Sequence, residues 1–309
     1  MTLGTSSALP VSARIREWLP SSSDDARIRV LAWASFVAEV LIIATGGAVR
    51  LTGSGLGCPT WPTCTADSLV STPEMGIHGI IEFGNRTLTG LVGILALAVV
   101  VLVWRIRRER RDLFVLALVV LGGVVAQAIV GGITVLTGLN PFIVGFHYVA
   151  SVALVAVAAT FLARRTQAPG PRELVVPRWY AILVRLTGLA LVVTIFVGVL
   201  TTGAGPHSGD SEAGRNGFDA ELLSHLHSWP GYILFALTLV LALVAWRAKL
   251  APAGWMLALL AIELVQIMVG LYQARNGLPE LAVGVHMVLA ALTAAAFTVA
   301  STRLRRPRA

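Results

Sequence analysis

The sequence predicts an all-α polytopic membrane protein with eight transmembrane helices in two parallel-repeat four-helix bundles, both termini cytoplasmic. Three observations predict it: composition, the length of the apolar runs, and an internal repeat. Of 309 residues, 56% are hydrophobic and 13% charged, and the mean hydropathy is +0.79. Soluble domains carry roughly 45–50% apolar and about 25% charged residues, so an ordinary soluble globule is excluded. A disordered chain needs the opposite balance, low hydrophobicity with high net charge. The net charge of +8 and pI near 10.6 would suggest nucleic acid in a soluble protein. Here the basic residues fall in short clusters between apolar runs, so nucleic acid is not an expected partner and membrane lipid is.

About 20 apolar residues cross the roughly 30 Å hydrocarbon core as a helix. Runs of that length occupy residues 30–49, 77–104, 113–136, 143–162, 180–201, 222–246, 253–272 and 281–300. They are too long and too uniformly apolar for the alternating strands of a membrane barrel. The first run follows a Ser- and Pro-containing stretch of nearly 30 residues. That is long for a signal-peptide n-region, so the run is expected to stay as a span. The basic residues set the orientation. Of 24 Lys and Arg, 20 fall before the first span, in the even-to-odd connections, at the start of the fifth span, or after the last. Arg50, Arg86, Arg215 and Arg275 are the remainder. The expected organisation is a cytoplasmic tail 1–29, a first bundle 30–163, a cytoplasmic linker 164–179, a second bundle 180–302 and a basic cytoplasmic tail 303–309, in the cell membrane.

The two halves repeat each other. Gln127 precedes His147 by 20 positions, and Gln266 precedes His286 by 20. Between them lie the similar stretches 138–141 and 276–279, and the first and fifth spans end in Thr-Gly-x-Gly at residues 52–55 and 202–205. Each half holds an even number of spans, so both enter from the same side and are related by a pseudo-twofold axis along the membrane normal.

Ionisable residues inside a membrane cost about 2.5–3.5 kcal/mol each on insertion scales, so those present point to function. His147 and His286 lie near the outer ends of the fourth and eighth spans, and His225 and His227 near the outer end of the sixth. Paired imidazoles on separate helices at equal depth suit the two axial positions of haem iron. Zinc would want three or four close ligands. His225 and His227 point roughly 200° apart around the helix, and His227, which aligns with Asn85, is the favoured ligand. On the second span, His78, Glu82, Asn85 and Arg86 share one face. Glu82 and Arg86 form an i,i+4 ion pair, or Glu82 acts on a bound substrate as a proton acceptor or a stabiliser of positive charge. Glu39 and Glu263 are expected to make helix–helix hydrogen bonds. Cys58 and Cys64, the two cysteines, lie in the first outer loop, where a disulfide is the default. It is either a structural bridge or a redox-active pair.

Taken together, eight spans in two parallel repeats, outer-end histidines on even-numbered helices, the run from Glu82 to Arg86, the segment from Gly53 to Cys58 and the cysteine pair resemble the haem A synthase family. This is the bacterial-type, eight-helix membrane haem O oxidase, and the likeness spans the first helix to the last. The resemblance implies an oxidoreductase that converts the C8 methyl of haem O to a formyl group by successive hydroxylations, supplying haem A for terminal oxidase assembly. It implies haem b held by His227 and His286 in the second half. The first half would receive haem O as substrate, with Glu82 catalytic, His147 at the substrate iron, and Asn85 and Arg86 beside it. Where the family often has a second histidine, this sequence has Asn85, so bis-histidine ligation is not expected in the first half. Implied partners are the haem O-producing membrane enzyme and an unidentified electron acceptor; homo-oligomerisation is left open. The alternative is a membrane dihaem b-type cytochrome that moves electrons without oxidising a substrate.

Overall fold

A computed structural model describes residues 18–308. The first part of the expected tail, with Arg14 and Arg16, lies outside the described residues. Eight helices are long and apolar enough to cross a membrane: α1 (Ala26–Leu51), α2 (Gly76–Val103), α3 (Arg111–Leu136), α4 (Pro141–Arg165), α5 (Arg178–Ala204), α6 (Ala220–Arg247), α7 (Ala253–Arg275) and α8 (Glu280–Thr302). The fold is thus polytopic and helical, and the location is a multi-pass one in a membrane. Most helices run a few residues past the apolar runs, because polar caps and basic residues extend them. Asp25 caps α1 by accepting from Arg27 N, Asn140 caps α4 by accepting from Phe142 N, and Asp219 caps α6 by accepting from Leu222 N.

Helices α4 and α8 pack against each other at the centre. Helix α1 packs on α2, α4 and α8, while α5 packs on α6, α4 and, more lightly, α8. Helices α2 and α3 close one flank, α6 and α7 the other. Buried alanines and valines line the centre: Val155, Ala159 and Ala163 of α4 meet Ala291, Ala295 and Val299 of α8 in one cluster. Small side chains let the backbones approach, which is how membrane helices gain packing without a hydrophobic driving force. Large apolar side chains such as Phe196, Trp229 and Met268 face outward, as lipid requires.

The α3–α4 and α7–α8 turns are alike in conformation. Gly138 and Leu139 have φ of 60° and 58°, and Gly277 and Leu278 have φ of 73° and 58°. Positive φ is uncommon outside glycine, yet both leucines adopt it. Leu139 N donates to Thr134 O at 2.8 Å and Leu278 N to Gln273 O at 2.9 Å. These bonds recapture carbonyls that the helix ends would leave without partners.

Two short strands depart from the all-helical expectation. Strand β1 (Arg172–Leu174), in the α4–α5 connection, pairs antiparallel with β2 (Arg305–Pro307) of the basic tail. Arg306 adds an ion pair to Glu173 at 2.9 Å. The chain's end is therefore tied to the linker instead of trailing from α8. At the same end, Arg110 donates to Ser23 Oγ and to the carbonyls of Arg164 and Arg165, satisfying the C-terminal orphan carbonyls of α4.

Candidate functional site

All eight helices contribute to a largely apolar cavity of about 380 Å³. Three of the predicted histidines, His147, His227 and His286, line it, and so does Asn85. His225 is exposed on the far side of α6 and does not line the cavity, so helix geometry separates it from His227 as the 200° offset requires. His78 is exposed and pairs through Nδ1 with Ser54 Oγ at 2.9 Å.

Each cavity histidine is set by its neighbours. Gln127 Nε2 donates to His147 O at 2.7 Å, and Gln266 Nε2 donates to His286 O at 3.1 Å. The repeat-related glutamines thus grip the backbone of the repeat-related histidines. Glycines make room for the rings. A Cβ on Gly198 would lie 2.7 Å from His227 Cε1, and one on Gly270 would lie 3.1 Å from His286 Cε1. His227 Nδ1 lies 3.0 Å from Thr194 O. A carbonyl only accepts, so Nδ1 carries the proton, and Nε2 of the neutral ring is left with its lone pair, as a metal ligand requires. The Nδ1 atoms of His147 and His286 are buried without a hydrogen-bond partner.

The rings of His227 and His286 have centroids 6.2 Å apart and planes at 76°. A metal between two imidazole nitrogens, at about 2.0–2.1 Å from each, sets the ring centres about 6 Å apart. In the other half, Asn85 takes the place of His227. Its Oδ1 accepts from Thr45 Oγ1 of α1 at 2.7 Å, much as His227 engages Thr194 of α5. His147 faces the cavity without a second imidazole.

Glu82 and Arg86 are turned elsewhere and do not line the cavity. Glu82 is 4% exposed. Its Oε2 accepts from Cys58 N at 2.6 Å, and its Oε1 from Arg86 Nη2 at 2.5 Å. Arg86 also donates to the carbonyls of Cys58, Thr60 and Thr63 at 2.8, 2.9 and 3.1 Å. The i,i+4 pair expected from spacing is therefore present, and it grips the α1–α2 loop. That loop is closed by a Cys58–Cys64 disulfide. Trp61 at its tip packs on Gly132 of α3, where a Cβ would collide with the indole.

Residues 29–207 match the family described as Cytochrome oxidase assembly protein (COX15-CtaA). The chain belongs to that family. Among curated relatives it is 36% identical over 140 residues to a heme A synthase of Lysinibacillus sphaericus strain C3-41, covering 43% of this chain and 44% of that one. It is 31% identical over 138 residues to a heme A synthase of Bacillus cereus strain AH187, covering 43% of each. The chain thus matches under half the length of these relatives. The family match ends before His227 and His286, so the pairing of those two rests on the geometry of the cavity.

Sequence reasoning missed three features of the site. Arg50, at the end of α1, lines the cavity, although it reads as an ordinary interfacial charge. Glu39 and Glu263 also line it. Glu263 accepts from Thr238 Oγ1 at 2.9 Å, the expected helix–helix bond, whereas Glu39 Oε1 is buried without a partner. Their place inside apolar runs was the only signal in the sequence.

Proposed function

We propose that this chain is a haem A synthase-type oxidoreductase, built from two parallel four-helix bundles with both termini cytoplasmic. Helix packing supports the duplication: replacing each helix by the one four positions away turns every packed pair into another packed pair. The matching Gly-Leu turns support it as well.

The observation that carries the functional reading is the His227–His286 pair, 6.2 Å between ring centres inside an apolar cavity. The fit to a haem is good. Both imidazoles line the cavity, His227 has a carbonyl partner fixing its tautomer, and glycines back both rings. Haem b held there would supply one-electron redox chemistry. Haem O is the substrate, oriented by His147, with Asn85 and Thr89 lining the same cavity. Written with water as the oxygen source, a methyl group and one water give a formyl group, four protons and four electrons. The apolar cavity walls exclude bulk water from the substrate, and the electrons pass to an acceptor outside the chain. The substrate comes from a membrane enzyme that makes haem O.

Glu82 is one turn from Asn85, with its carboxylate committed to the outer loop. For it to take a proton from the substrate, the bond to Cys58 N must open and the side chain must swing past Asn85. Catalysis by Glu82 is thereby coupled to the position of the disulfide loop. The same observation favours a second reading, an electron-carrying b-type cytochrome in which Glu82 only anchors the loop.

The test is to purify the protein, record its visible spectrum, add haem O and extract the pigments. The expected result is a low-spin bis-histidine haem that is lost in His227→Ala and His286→Ala and kept in His225→Ala, with haem A formed from added haem O. Haem binding without any conversion would leave the cytochrome reading. Absence of histidine-dependent haem would overturn both.

A further inference from the structure

Arg50 lies in the last turn of α1 and, of the residues lining the cavity, it alone is positively charged. Its one side-chain hydrogen bond among the described residues runs from Nη2 to Thr202 O, at 3.1 Å, at the end of α5. Its Nε is buried with no partner, and no carboxylate lies within ion-pairing distance of it among the described residues. Arg86 differs in both respects, since Glu82 and three loop carbonyls saturate it. The acids that share the cavity with Arg50 do not neutralise it. Glu39 is on the same helix, eleven residues earlier, about 16 Å along the axis. Glu263 is bonded to Thr238. An uncompensated guanidinium in an apolar bundle is costly, and the described residues supply no anion for it.

Its position indicates which end of a ligand it meets. Above Arg50 the outer loops of the two halves join: Gly55 N donates to Gly209 O at 2.8 Å, and a Cβ at Gly209 would lie 3.9 Å from Arg50 Cγ. The guanidinium therefore sits at the roof of the cavity, where the two halves meet.

We propose that Arg50 is the carboxylate anchor of this cavity, pairing with an acidic side group of the bound macrocycle, a propionate. Arg50 thereby turns the propionate edge toward the outer loops and the opposite edge into the membrane interior. The assignment rests on the haem-binding reading above, and Arg86, already held by Glu82 and three loop carbonyls, does not fill the role. A guanidinium suits the role because it offers two parallel donors in a fixed fork that matches a carboxylate.

The test is Soret titration of haem-depleted protein with iron protoporphyrin IX and, separately, with its dimethyl ester. The wild type is expected to bind the diacid at least about tenfold more tightly than the ester, the value of one charge-assisted hydrogen bond. Arg50→Gln should bring the two affinities together by weakening the diacid alone, and Arg50→Lys should fall between. Equal wild-type affinities overturn the assignment without any variant being needed. So does an Arg50→Gln protein that keeps the preference or weakens both porphyrins equally. If neither porphyrin binds in a manner that depends on His227 and His286, the haem reading fails first, and visibly so.

Discussion

Replacing Arg86 with leucine should release the Cys58–Cys64 loop while leaving the helical bundle folded. In the structure Arg86 holds three loop carbonyls and pairs with Glu82, with side-chain exposures of 19% and 6% for the two partners. A hydrogen bond to a charged group contributes about 1.5–3 kcal/mol. Removing one member of a buried ion pair costs about 3–5 kcal/mol, because the other is left uncompensated. These contributions overlap, so about 3 kcal/mol of local stability is a fair lower figure. The loop is not part of any helix and is docked on α2 and α3 through these bonds and the Trp61 packing, so the loss appears as local opening rather than global unfolding. About 3 kcal/mol corresponds to roughly a hundredfold change in an opening equilibrium. Hydrogen exchange at the Cys58 amide, which donates to Glu82, should accelerate by about that factor. Reduction of the disulfide by a water-soluble phosphine should accelerate in parallel. Glu82→Gln should change both rates less, since an amide oxygen still accepts from Cys58 N. Rates within twofold of wild type in Arg86→Leu would refute the idea that this pair holds the loop.

Gly198→Ala places a methyl 2.7 Å from His227 Cε1; an overpacking cost of about 1–3 kcal/mol and loss of the low-spin haem spectrum are expected. Gly131→Ala, whose methyl would meet His147 Cε1 at 3.4 Å, should leave that spectrum and the melting temperature near wild type. Gly132→Ala should expel the Trp61 indole and red-shift its fluorescence, read as the difference from a Trp61→Phe background. Thr238→Val removes the one side-chain partner of buried Glu263 and should cost about 1–3 kcal/mol, whereas Thr238→Ser should restore stability in a thermal melt.

The helices and the cavity histidines were legible in the sequence for a physical reason: lipid leaves an apolar run of this length little choice of structure. The 20-residue Gln–His spacing was legible because each glutamine holds the backbone of its histidine across a tight turn. The directions of Glu82 and Arg86 were not. Spacing assigns residues to a face, but the N-terminal end of α2 is bordered by the α1–α2 loop on one side and the cavity on the other. Asn85 turns to the cavity while Glu82 and Arg86 turn to the loop. Helical periodicity cannot separate neighbours on one face when two partners divide it. The β1–β2 pairing was hidden because strands of three residues, rich in arginine, carry no alternating pattern.

The two halves share a framework and differ at the positions where their chemistry would have to differ. Each half has its glutamine, its histidine and its Gly-Leu turn. Only the second half completes a pair of imidazoles, and only the first carries Asn85, Glu82 with Arg86, and the disulfide loop. Two closed axial positions hold a macrocycle firmly and suit a permanent electron carrier. One histidine, with an amide standing where the other half has its second imidazole, gives a looser grip, which suits a macrocycle that must enter, react and leave. On the proposed function, restoring symmetry with Asn85→His should therefore give the first half a permanent haem site as well. The expected result is a second low-spin haem per chain, with formation of haem A slowed or abolished. Unchanged haem content together with undiminished conversion would mean that the asymmetry at residue 85 has no part in separating the two roles.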